Sequence, residues 1–184
     1  MLRLLTRVAC RSLVAVVCLL PAGAAVAQES KSAPLAKQLA AALDAGKLDS
    51  IAAKDPSAPD AFVAALYFPG AQLLVISGKY AVPQLLNERV GRKEYRDVYL
   101  DLNGASSADS KVFIEDPGAD GLKAKREENQ AFDQCEIGGK RTMFNGDWKT
   151  QKMSEDDYMK TYSAADDRYA RILEALLAQA KKTS

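Results

Sequence analysis

The sequence predicts an α+β fold: one antiparallel sheet, curled or closed into a small barrel, carrying an N-terminal helix, an inserted helix and a C-terminal amphipathic helix packed on it. Three observations point there. Residues 62–79, FVAALYFPGAQLLVISGK, hold two apolar runs of strand length on either side of Pro69-Gly70. A proline fixes φ and a following glycine accepts φ > 0, so the pair marks a reversal and breaks any helix through it. Near the other end, Tyr158, Tyr162, Ala165, Tyr169, Ile172, Leu173, Leu176 and Ala180 recur at helical spacing, as on a helix burying one stripe. The segments between are short and joined mainly by turn residues, which favours antiparallel pairing over crossovers.

The 184 residues suit one domain with a substantial core. Residues 1–11 carry Arg3, Arg7 and Arg11 without an acid, 12–20 are apolar, and Ala25-Val26-Ala27 precedes Gln28. This is the n-region, h-region and cleavage pattern of a signal peptide. The expectation is a leader over 1–27 and one exported domain over 28–184, periplasmic or secreted from a bacterium. The leader's apolar core is too short to span a bilayer, and no later segment is long enough. Lipidation at Cys18 is disfavoured, because Val17 precedes it where a small residue is usual.

Cleavage changes the chemistry. Three of the 25 basic residues leave and none of the 24 acids does, so net charge moves from +1 to −2. That argues against nucleic acid or an anionic membrane surface as partner. Cys135 remains as the only cysteine, which excludes an internal disulfide and favours a small buried hydrophobe over a reactive thiol. The chain has no histidine, which removes Ser-His-Asp and Cys-His catalysis and histidine-ligated zinc.

In chain order, 28–34 is polar and aperiodic. Leu35, Leu39, Ala42 and Leu43 predict a helix over 34–45, stopped by Gly46. A short strand over 48–54 and a turn over 55–60 lead to the paired strands 62–68 and 73–76. Pro83 suits the first turn of a helix over 83–90. Residues 95–102 alternate as a half-buried strand, and 111–115 form another, ended by Asp116-Pro117-Gly118. Residues 122–130 are charged and read as an exposed helical turn or loop. Gly138-Gly139 joins a hairpin of 132–137 and 140–144. Ser154 caps the last helix, with Glu155, Asp156 and Asp157 at its positive end and Lys181 and Lys182 at its negative end.

Four constellations could carry chemistry. Ser77-Gly78-Lys79 leaves a strand and precedes a helix, so a hydroxyl, a flexible backbone and a cation converge where an anion could sit; the spacing is not that of a P-loop. Glu115, Asp116 and Asp120 surround two glycines and could offer oxygens to Ca²⁺, but the EF-hand alternation is absent and a solvated turn is the favoured reading. No metal site is assigned. Tyr95, Asp97, Tyr99 and Asp101 share one strand face, more simply an exposed face than a sugar site. Trp148, Tyr158 and Tyr162 near Arg141 could form an aromatic pocket, though packing of the last helix explains them equally.

The order of helix, strand, hairpin, Ser77 and Lys79, then helix resembles the FMN-binding split barrel of the pyridoxamine phosphate oxidase-like superfamily. The likeness covers residues 35–122. It implies a split-barrel-like sheet, with Ser77 and Lys79 as cofactor-binding residues on a flavin phosphate. The arginine- and glutamine-bearing strand motifs of that family are not evident, so the fold could persist without the flavin. The leading expectation is an exported ligand-binding or accessory domain. The alternatives are an FMN-dependent oxidoreductase and an envelope structural or interaction protein. Expected partners are a small-molecule ligand, an envelope protein or a second copy of the chain as a homodimer.

Overall fold

The computed structural model describes residues 30–59, 61–78, 112–124, 131–137, 140–143, 149–150 and 152–183. Within them the order is α1 (Ser32–Gly46), β1 (Ser50–Lys54), β2 (Phe62–Phe68), β3 (Gln72–Gly78), β4 (Val112–Pro117), β5 (Gln134–Ile137), β6 (Lys140–Thr142) and α2 (Glu155–Thr183). The six strands form one sheet in sequence order with every neighbour antiparallel. The α+β class with an N-terminal and a C-terminal helix on an antiparallel sheet is therefore as expected. Among the described residues the sheet is open: β1 and β6 are its edges and do not pair with each other. A three-residue β6 is too short an edge to close a barrel by a continuous ladder. The expected leader, the helix over 83–90 and the strand over 95–102 lie outside the described residues.

The hairpin at the centre forms as its residues dictate. Phe68 carbonyl accepts the Ala71 N–H at 2.9 Å, and Gly70 holds φ 69° after Pro69, the geometry of a proline–glycine turn. From there the register runs Phe68 with Gln72 through Phe62 with Gly78. Both strands are nearly continuous apolar runs, and both faces of them are buried. That is why the alternation is missing from their sequence.

One face carries Val63, Ala65, Tyr67, Leu73, Val75, Val112, Ile114 and Cys135 and meets both helices. The predicted stripe of α2, from Tyr158 to Ala180, is buried there throughout. The opposite face holds a smaller cluster of Ala64, Leu66, Leu74, Ile76 and Phe113. Ser154 Oγ accepts the Asp157 N–H at 3.2 Å, so α2 begins at the predicted cap. Among the described residues no helix is long and apolar enough to cross a membrane.

The start of α1 is capped across the molecule. Its N-cap residue, Lys31, makes no side-chain cap, and Ser30 Oγ accepts the Ala33 N–H at 3.2 Å. The donors before Ala33 are taken by Asp166 of α2, which accepts the N–H groups of Lys31 at 2.7 Å and Ser32 at 3.0 Å, and the Ser32 hydroxyl at 2.6 Å. A carboxylate at a helix N-terminus satisfies orphan donors and complements the dipole. This cap brings α1, α2 and the loop after β4 to one point.

Candidate functional site

That point is built around Asp116. Alternation along β4 sends Asp116 to the helix face and Glu115 to the other, where Glu115 accepts hydrogen bonds from Gln72 and Gln134. The three carboxylates the sequence grouped are thereby split. The β4–β5 ladder pairs Ile114 with Cys135, and two residues further along the same face lies Asp133. It takes the place Glu115 leaves. Ligand oxygens of Asp116, Asp120 and Asp133 all lie within 4.8 Å of one another.

The loop over 118–124 folds around Asp116. Asp116 Oδ1 accepts the Asp120 N–H at 2.9 Å, and Oδ2 accepts the Gly121 N–H at 2.9 Å and the Tyr169 hydroxyl at 3.0 Å. Gly118, Ala119 and Gly121 hold φ of 89°, 52° and 94°, the backbone that curls the N–H groups inward. At Gly121 a Cβ would stand 2.4 Å from Ala33 Cα, so the loop lies against the backbone of α1. The Ser32 hydroxyl ties the two by accepting the Leu122 N–H at 2.9 Å. Leu122 is buried, against the expectation of an exposed segment from 122 onward.

The charges in this pocket do not balance. Asp116 is fully buried and Asp133 nearly so. Lys123 faces the cluster, its ammonium 2.6 Å from Asp120 Oδ2 and its N–H donating to Asp133 Oδ2 at 2.6 Å. Asp120 Oδ1 is buried and has no hydrogen-bond partner. Burial pushes the Asp116 carboxyl up to about 6 even against its three donors. Asp133 is pushed up to about 8, by burial first and then by the charge of Asp116. Tyr169, buried and donating to Asp116, is raised well above the ordinary phenol range. Asp116 and Asp133, this close and this buried, both hold their charge only if positive charge beyond the Lys123 ammonium joins them; otherwise they retain protons.

Asp133 is the member sequence reading missed, lying outside every motif. The signal was the strand register, which no local spacing reveals.

Ser77, the penultimate residue of β3, faces the helices and is buried. Its hydroxyl donates to Asp55 Oδ2, which also faces Arg168 Nη2 at 3.4 Å. Lys79 lies outside the described residues, so its relation to Ser77 is not part of this geometry. Asp97 and Asp101 with their tyrosines, and Trp148, also lie outside. Tyr158 and Tyr162, on the buried stripe of α2, hold tilted rings with centroids 4.7 Å apart, whereas Arg141 sits on the opposite sheet face. There it pairs with Glu136 at 3.2 Å and covers the Phe113 ring at 5.0 Å. The aromatic pocket is therefore not assembled from these three. Burial pushes the Cys135 thiol up to about 12, as suits a packed hydrophobe.

The fold and site together define a small α+β domain with an open antiparallel meander and an aspartate cluster where a loop meets two helices. Comparison with protein-family models, with curated proteins and with solved structures finds no match.

Proposed function

We propose that the chain is a small exported binding domain and that the Asp116–Asp120–Asp133 cluster takes a hard divalent cation, calcium being the best match. The observation carrying this reading is the excess of negative charge: three carboxylates within 4.8 Å against the one ammonium of Lys123, with one carboxylate oxygen buried and lacking a donor among the described residues. Calcium accepts six to eight oxygen ligands in irregular geometry, whereas magnesium demands a near-ideal octahedron. The donor set is all oxygen, as a hard cation requires. Holding the cation would fix the 118–124 loop to α1 and α2, so its role here is to bind and organise. The absence of histidine and of any nucleophile–base pairing in the sequence accords with binding over catalysis.

Calorimetric titration of chelator-treated protein with CaCl₂ tests this. Saturable binding at about 10⁻³ M or tighter is expected, abolished by Asp120→Asn and by Asp133→Asn. No heat and no calcium-dependent rise in melting temperature would sink it.

A second reading is a split-barrel-like flavin domain with Ser77 and Lys79 on the FMN phosphate. It is favoured by the place of Ser77 at the end of the third strand, with the Arg168 guanidinium beside the same Asp55. Against it, a phosphate at Ser77 would displace the hydroxyl from Asp55 and meet that carboxylate's charge. Quenching of FMN fluorescence by the protein, lost in Ser77→Ala, would favour it over the cation reading.

A further inference from the structure

The aspartate cluster is not equally enclosed around its members. Asp116 is fully buried and Asp133 is 7% exposed, whereas the side chains of Asp120 and Lys123 are 16% and 28% exposed. Among the described residues of the cluster, then, Lys123 stands at the side nearest solvent. Its backbone is pinned there: the Leu122 N–H donates to Ser32 Oγ at 2.9 Å and the Lys123 N–H to Asp133 Oδ2 at 2.6 Å. The ammonium is held differently, 2.6 Å from Asp120 Oδ2 at the end of a flexible four-carbon stem. Asp120 Oδ1, the other oxygen of that carboxylate, is buried with no hydrogen-bond partner among the described residues. Asp120 thus has one oxygen under an ammonium and one without a donor, in a cluster whose three carboxylates lie within 4.8 Å.

We infer that the Lys123 ammonium is a built-in competitor for the cation site, occupying Asp120 until a divalent ion displaces it. This rests on the cation reading of the same three aspartates. An ammonium sets one positive charge against three carboxylates, and a divalent ion in its place adds one more. Calcium takes a carboxylate through one oxygen or both, so the exchange would engage Asp120 Oδ1 as well as Oδ2. Two cations at such close range repel, so occupancy by one opposes the other. Expulsion leaves the backbone bonds of Leu122 and Lys123 in place, since only the stem has to turn outward to water. The lysine thereby sets the calcium concentration at which the site fills.

Calorimetric titration with CaCl₂ at fixed ionic strength tests this on the unmodified protein, Lys123→Met, Lys123→Arg and Lys182→Met. Lys123→Met removes the charge and keeps an apolar stem, and should bind calcium about tenfold more tightly or better, because a like charge beside the ion is lost. Lys123→Arg keeps the charge and should bind no more tightly than the unmodified protein. Lys182→Met makes the same change in net charge at an exposed position near the far end of α2, and should leave the affinity unchanged. A merely structural ion pair would lower the melting temperature of Lys123→Met in calcium-free buffer without tightening calcium binding. A second measurement needs no variant: bound calcium should speed acetylation of Lys123 by acetic anhydride in the unmodified protein, read by mass spectrometry, and leave Lys182 unaffected. Equal calcium affinity in Lys123→Met and the unmodified protein, or Lys123 acetylation unmoved by bound calcium, overturns the competitor and leaves the cation site standing. Calcium binding by Lys123→Met alone supports it. Calcium binding by neither protein overturns the cation site, and the competitor with it.

Discussion

Asp133 governs how this protein should respond to pH. In the unfolded chain both it and Asp116 titrate near 3.8, and in the fold they are raised to about 8 and about 6. The folded state therefore keeps protons that the unfolded state has released. Their contribution to stability is complete below about pH 3.8 and is lost as pH rises through 6 and then 8. Without added cation, the unfolding free energy from urea titrations should fall across that window, by about 1.4 kcal/mol per pH unit for each proton held. Asp133→Asn should flatten the upper part of the profile, and a flat profile in the unmodified protein would show that burial does not raise these two carboxyls. Gly121 gives a second test at this scale. An alanine there would combine a φ of 94° with a methyl 2.4 Å from Ala33 Cα. Gly121→Ala should cost at least about 2 kcal/mol in chemical denaturation, since backbone strain and overpacking each cost about 1–3 kcal/mol. A change near zero would mean that the loop can leave α1 freely.

Among the elements, the ends of α1 show what a local pattern conceals. The sequence places the stop at Gly46, but the left-handed residue is Lys47, at φ 53°, with its N–H on Asp44 O and the Leu48 N–H on Leu43 O. This is a Schellman end with lysine at the position that favours glycine. Lys47→Gly should stabilise the protein by roughly 1 kcal/mol, because the left-handed conformation costs a side-chain-bearing residue about 1–2 kcal/mol and glycine's greater unfolded freedom returns part of it. Equal or lower stability would mean that Lys47 makes a compensating contact. The helix start was partly hidden, since beside Ser30, which accepts the Ala33 N–H, its cap is Asp166, 134 positions from Ser32. Asp166→Ala should cost about 0.5–2 kcal/mol, the usual range for a lost cap, read as faster amide exchange in the first turn of α1. Apolar runs about Pro69-Gly70 revealed the paired strands 62–68 and 73–76, the second of which the fold extends to 72–78, and periodicity revealed the whole buried stripe of α2, because each of those patterns is written by neighbours in the chain. Glu115 and Asp133 could not be sorted that way. Which of them joins Asp116 depends on strand parity and on the register of β4 against β5, and only the folded sheet sets both.

For the molecule as a whole, the aspartate cluster is placed to couple the sheet to both helices. Asp116 comes from β4, Asp120 from the loop, Asp133 from the segment entering β5, and the contacts around them reach Ser32 of α1 and Tyr169 of α2. A ligand at such a junction binds only when all these parts are in place, so its binding energy adds to global stability and not to one loop. With one site and no affinity for the unfolded chain, calcium at a hundredfold excess over its Kd should add about 2.7 kcal/mol. For a domain of this size that is a rise of about 5–10 °C in Tm. The rise should vanish in Asp120→Asn and be seen equally by far-ultraviolet circular dichroism, which follows the helices, and by near-ultraviolet circular dichroism of the tyrosines. Tyr169→Phe separates anchoring from packing: it keeps the buried ring but removes the hydroxyl from Asp116, and should lower Tm in calcium-free buffer by the equivalent of about 1–2 kcal/mol. If calcium instead protects only residues 118–124 from amide exchange and leaves Tm unmoved, the cluster closes a local loop. The helices would then be held to the sheet by the apolar stripe from Tyr158 to Ala180 alone.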